Sequence, residues 1–187
     1  MSAKDRTRWD AFYSERAAQG LAEPDPLLLN YTPPLLPNEV KRALDAAGGL
    51  GHNALWLAEQ GYNVDLMDIS RVALTRAQEA MRERELRTIN LFQVDFDEAE
   101  LRHETYDLIV IMRFLSLPLM AQLRAGVVPG GRILFETFNR GLLKFKPDFN
   151  PAYLLQRDEI LGFFSDWRIL HHAELSTTSQ VVAVKPE

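Results

Sequence analysis

Residues 43–58 read ALDAAGGLGHNALWLA, and residues 63–70 read NVDLMDIS. The first stretch passes from a short apolar run, Ala43 to Ala47, through Gly48, Gly49 and Gly51 into Asn53–Ala58, which has helical texture and stops at Gly61, a good C-terminal cap residue. The second stretch is a strand, Asn63 to Met67, closed by Asp68. Glycine lets a backbone pass close to a ligand, and the start of a helix offers free N–H groups. An acid closing the second strand can accept hydrogen bonds from both hydroxyls of a ribose. The glycines alone also fit a plain strand-to-helix turn. Together with the acid they mark a nucleoside-binding edge, with Ala47, Asn53 and Ile69 beside it.

Working outward, strands and helices alternate. Ser70 can cap a helix whose Ala73, Leu74, Ala77 and Met81 share one face. Ile89–Val94 forms a third strand. Asp107–Met112 forms a fourth, nearly continuous in apolar residues, as a central parallel strand requires. Pro129-Gly130-Gly131 makes a turn before a fifth strand, Arg132–Phe138, and a loop runs from Asn139 to Pro151. A helix around Asp158–Phe164 and two strands, near Trp167–His172 and Ser179–Lys185, follow. Their short link, Ala173 to Thr178, cannot hold a helical crossover, so these two strands pair antiparallel. The pattern predicts an α/β Rossmann-like three-layer sandwich with a mainly parallel sheet. Residues 1–187 read as one domain, with an N-terminal helix and Pro-rich connector over 1–40 and the core over 41–187. Five prolines between Gly20 and Val40 exclude a long helix there.

Composition narrows the function. The chain has 187 residues, 47% hydrophobic and 25% charged, a globular mixture. Zero cysteines exclude a disulfide framework, a Cys-based zinc site and a cysteine nucleophile, and fit a cytoplasmic location. A net charge of −5 disfavours nucleic acid. Arg82, Arg84 and Arg87 are interleaved with Glu79, Glu83 and Glu85, so they read as a solvated helix face. No stretch approaches the roughly 18 apolar residues of a membrane span.

Gly49 to Ala54 also fits the G-x-G-x-x-A form of the dinucleotide fingerprint, which makes an NAD-dependent oxidoreductase the rival reading. Three features oppose it. Asp95 and Phe96 stand just past the third strand, where they could grip an adenine amino group and ring. The closing antiparallel strand is foreign to the usual dinucleotide fold. The length leaves no room for a separate substrate domain.

The run LDAAGGLGHNALWLAEQGYNVDLMDIS, with YDLIVIMRFL, VPGGRILFETF and NPAYLL further on, resembles class I S-adenosylmethionine-dependent methyltransferases, particularly the tellurite-resistance-type family. The resemblance covers about Trp9 to Pro186. It departs at Gly49 and His52, where members often carry Cys and Arg. It implies a seven-stranded sheet with an antiparallel last strand and S-adenosylmethionine as cofactor. Gly48, Gly49 and Gly51 would meet the amino-acid end, Asp68 the ribose, and Asp95 with Phe96 the adenine.

Methyl transfer from a sulfonium asks the protein mainly for alignment, so no catalytic dyad is expected and none is found. The strand-four end reads Met112-Arg113-Phe114-Leu115 rather than the Pro-Pro run of amino-group base methylation, which leaves a small-molecule acceptor or a protein side chain, the former being the reading taken. Arg113, a charge at a strand's carboxyl end, either meets the cofactor or pairs with Glu136. Trp9 and Tyr13 lie one helical turn apart and either close over the cofactor or dock the helix. With His52, Glu136 and Tyr153 they are the candidate substrate residues. His171 and His172 are neighbours on a strand, face opposite sides and cannot chelate as a pair, so no metal is expected. A non-catalytic S-adenosylmethionine-binding protein is the third reading. Removing Asp68 is expected to leave the fold intact.

Overall fold

The computed structural model describes residues 3–16 and 19–187; the first helix, which the sequence carries to about Ala18, has that expected end outside the described residues. The chain divides into two compact units, Met1–Glu100 and Leu101–Glu187. Seven strands form one sheet in the order β3-β2-β1-β4-β5-β7-β6.

The first unit holds helix α1 (Ala3–Glu15), the six-residue α2 (Pro26–Tyr31), β1 (Arg42–Ala46), α3 (His52–Glu59), β2 (Asn63–Asp68), α4 (Arg71–Glu83) and β3 (Ile89–Gln93). β1, β2 and β3 pair in parallel. The connector admits α2 because Pro26 sits in its first turn, where the missing N–H is an orphan anyway. Gly61 ends α3 at φ 95. Ser70 caps α4, its hydroxyl accepting from the Ala73 N–H at 3.1 Å. The buried face of α4 is Ala73, Leu74, Ala77 and Ala80, with Met81 only half-buried in place of Ala80. Leu44, Leu55, Leu57 and Leu66 fill the core of this unit.

The second unit holds β4 (Tyr106–Met112), α5 (Leu117–Gly126), β5 (Val127–Phe138), two 3-10 turns (Arg140–Lys144 and Pro151–Tyr153), α6 (Glu159–Gly162), β6 (Arg168–Glu174) and β7 (Thr178–Val184). β4 and β5 run parallel, and β7 is antiparallel to both β5 and β6. Only β7 therefore runs against the rest, as the short link predicted. Two expectations change. The Pro129-Gly130-Gly131 turn lies inside β5, which begins at Val127; the register against β4 slips between Tyr106 and Leu108, and Gly130 takes up the slack at φ 73. The loop from Asn139 to Pro151 contains one 3-10 turn and runs into the other at Pro151, each opened by an asparagine whose side chain accepts a backbone N–H two residues on. Leu108 to Ile111 and Ile133 to Phe135 form the core of this unit.

Candidate functional site

In the first unit the end of β1 is bent sharply: Ala47, Gly49 and Gly51 all have positive φ, at 54°, 57° and 75°. A side chain is strained in that region, which explains the glycines at two of the three positions. A Cβ on Gly49 would also collide with the Tyr13 hydroxyl of α1, and one on Gly51 would lie 2.7 Å from Leu66 Cδ2.

Two buried acids hold this turn from below. Asp68, 6% exposed at the end of β2, accepts from the Gly49 N–H through Oδ2 and from the Ser70 N–H through Oδ1, each at 2.8 Å. Burial raises its pKa; the N–H groups of Ser70, Gly49 and Ile69 oppose this, and the charge of Asp10 adds to it. Each oxygen keeps a second lone pair, so the carboxylate can still accept from a ligand hydroxyl. Asp45, 1% exposed inside β1, sends Oδ2 to the Ala54 N–H at 3.1 Å and so supplies the cap that Gly51 lacks at the start of α3. Burial pushes its pKa up to about 7, against the pull of His52 and the Ala54 N–H. The sequence reading missed Asp45, although an acid within an otherwise apolar strand was the available signal.

Asp25 ties down the start of α3. Its N–H donates to Asn53 Oδ1 at 2.9 Å, Asn53 Nδ2 donates to Asp25 Oδ2 at 2.9 Å, and His52 Nε2 lies 3.3 Å from the same oxygen. His52 and Asn53 thus face a carboxylate of their own unit. Asp10 of α1 reaches the start of α4, accepting from Ser70 Oγ at 2.6 Å and from the Val72 N–H at 3.2 Å. Trp9 and Tyr13 stack at 6.0 Å, and Phe12 meets both edge-on. Of the pair, Tyr13 lies beside the glycine turn, its hydroxyl where a Cβ on Gly49 would sit. Ile69 and Phe96 are buried at 3% and 2%, and Asp95 accepts from the Asp97 N–H at 3.0 Å.

In the second unit Arg113 has φ 57, its N–H donates to the Glu136 carbonyl at 2.7 Å, and its guanidinium lies 3.9 Å from Glu136 Oε1. Glu136 also accepts from Gln180 Nε2, and Gln180 Oε1 lies 3.2 Å from His171 Nε2. Arg113 thus stands within ion-pair distance of Glu136. Tyr153 lies in the second 3-10 turn, 46% exposed.

Residues 43–131, which carry both the glycine turn and the acid of β2, match the profile of a family described as methyltransferase domain. The matched stretch is just under half of the chain. Such domains belong to enzymes that use S-adenosylmethionine, and solved examples share the fold. TehB from Haemophilus influenzae superposes with a TM-score of 0.68 at 18% identity, covering 79% of this chain and 58% of TehB. An S-adenosylmethionine-dependent methyltransferase from Mesorhizobium loti gives 0.70 at 16% identity, covering 86% and 96%. Among curated proteins, hemagglutinin 1 of Eikenella corrodens is 28% identical over 141 residues, 71% of this chain and 46% of that protein. The chain thus spans about half the length of that relative.

The residues fit the cofactor in kind. The first unit offers a bare glycine backbone, a carboxylate with acceptor capacity and two helix starts. The Tyr13 hydroxyl over Gly49 has to give way before a ligand can touch that backbone.

Proposed function

We propose that the chain transfers a methyl group from S-adenosylmethionine to a small-molecule acceptor. The observation that carries this reading is the Asp68 carboxylate, buried at the end of β2 and bonded to the glycine turn itself. Gly48, Gly49 and Gly51, with Ala47, would hold the amino-acid end, Asp68 the ribose, and Asp95, Ile69 and the neighbourhood of Phe96 the adenine. His52 and Asn53 act indirectly, through their attachment to Asp25. Trp9 and Tyr13 form the cover over the turn.

When bound, the cofactor supplies an activated methyl group on a sulfonium. The protein's part is to align it with the acceptor, worth about 7–11 kcal/mol of barrier in favourable cases. A general base is needed only for an acceptor that arrives protonated. The resemblance of the sequence motifs to the tellurite-resistance-type family adds metalloid oxyanions to the acceptor classes worth testing, beside thiols, amines and carboxylates.

Labelled S-adenosylmethionine incubated with each acceptor class tests the reading. Label transferred to one class, and lost in Asp68→Asn, is the expected result. S-adenosylhomocysteine binding without transfer to any class would favour a non-catalytic binding protein. Stabilisation by NAD and not by S-adenosylhomocysteine would favour the oxidoreductase.

A further inference from the structure

We propose that Asp158, His172 and Glu174, all in the second unit, form a binding site for a first-row divalent metal ion, with one coordination position open to solvent. None of the three is among the residues assigned to the cofactor. His172 and Glu174 are two apart on β6 and so share a face. Asp158 reaches them from the turn before α6, held at φ 61. One ligand atom from each, a ring nitrogen and two carboxylate oxygens, lies within 4.8 Å of the others. The sequence reading expected no metal because it tested His171 and His172 against each other; the partners of His172 lie instead on its own face.

Three details favour a cation over a plain ion pair. His172 Nε2 is shielded from solvent yet makes no hydrogen bond. It stands 3.6 Å from Asp158 Oδ1 and 3.5 Å from Glu174 Oε1. A charge-assisted hydrogen bond would have closed on one oxygen to about 2.7–2.9 Å. Metal–ligand bonds of about 2.0–2.2 Å in a tetrahedral arrangement instead place neighbouring ligand atoms about 3.4 Å apart. The third detail is an outer layer that aims the glutamate. Glu174 Oε2 accepts from Ser179 Oγ at 2.7 Å and from Asn139 Nδ2 at 3.3 Å, and Oε1 accepts from the Asp158 N–H at 3.1 Å. Ser179 and Asn139 are themselves buried, at 0% and 6%. Supporting hydrogen bonds of this kind accompany metal-ligating carboxylates.

The remaining charge at the site is Arg157, whose Nε lies 3.7 Å from Asp158 Oδ2. The Asp158 side chain is 56% exposed, which leaves a solvent side for a fourth ligand. One nitrogen and two oxygens, without thiolate, suit Zn²⁺, Co²⁺ or Mn²⁺.

Calorimetric titration of the untagged, chelator-stripped full chain with ZnCl2 and with MnCl2 tests the proposal. One equivalent is expected to bind, and Co²⁺ is expected to give the visible absorption of a four-coordinate site. Binding should fall as the solution is acidified, because the imidazole must be neutral to ligate. His172→Gln and Asp158→Asn should each weaken binding about tenfold or more, the losses seen even for outer-layer residues. Asp158→Asn replaces an exposed side chain with one that tolerates positive φ, so its fold is retained. His103→Ala should bind like the parent. Absence of saturable one-equivalent binding, or Asp158→Asn and His172→Gln binding as tightly as the parent, would overturn it.

Discussion

Asp68 and Asp45 are buried at adjacent strand ends, and each is held by backbone N–H donors rather than by a cation. Asp68 therefore does more than face a ligand. Replacing it with Ala strips two buried N–H groups of their acceptor, and an unsatisfied buried donor costs about 1–3 kcal/mol. Asp68→Ala is expected to lower the unfolding free energy by that order in chemical denaturation, contrary to the sequence expectation of an intact fold, while Asp68→Asn keeps one acceptor and loses less. Asp45 brings a pH dependence. Its carboxyl titrates near the ordinary aspartate value of 3.8 when unfolded and at about 7 when folded, so between those values the folded chain holds the proton more tightly. Its contribution to stability is thus present at low pH and declines as pH rises through that window. Denaturation measured from about pH 4 to about pH 7 should show this decline in the parent and a flatter profile in Asp45→Asn. An unchanged slope would remove Asp45 as its source. At this scale the sequence displayed Asp68, because it closes a strand after a glycine turn. Asp45 was hidden inside an apolar strand, and the Asp25 partnership of His52 and Asn53 joins positions too distant in the chain for any local pattern to reveal.

Helix α1 is fastened to α4 by Asp10 and lies over the glycine turn through Tyr13. Its large apolar side chains are Trp9, Phe12 and Tyr13, and Arg76 of α4 adds hydrogen bonds to the carbonyls of Arg16 and Gln19 just past its end. Asp10→Ala removes an acceptor from the start of α4, a loss of about 0.5–2 kcal/mol for capping groups. Hydrogen exchange should accelerate in α1 and in the first turn of α4; unchanged protection would show that the rings and Arg76 hold the helix without it. Gly49→Ala, which combines a positive φ with a collision against Tyr13, should destabilise the chain more than Gly49→Ala combined with Tyr13→Ala does. Most of the alternating elements were legible from periodicity. Helix α5 was not, because it passes from Gly126 into β5 at Val127 with no intervening turn, and the Pro-Gly-Gly run drew the boundary to the wrong place.

At the scale of the whole molecule, the sheet order and the lone antiparallel strand β7 give the fold of S-adenosylmethionine-dependent methyltransferases. That architecture was readable from the spacing of strands and from one short link, because parallel strands need long crossovers and hairpins do not. The acceptor was not readable, since it depends on side chains gathered from distant segments. S-adenosylmethionine, held at the end of β2, is the ligand proposed. Thermal unfolding with S-adenosylhomocysteine, compared with NAD, tests it most directly. At 100 times its dissociation constant a ligand of the native state adds about 2.7 kcal/mol. Stabilisation of that order by S-adenosylhomocysteine, reduced in Asp68→Asn and absent with NAD, is the predicted result. Stabilisation by NAD alone, or by neither ligand, would contradict it.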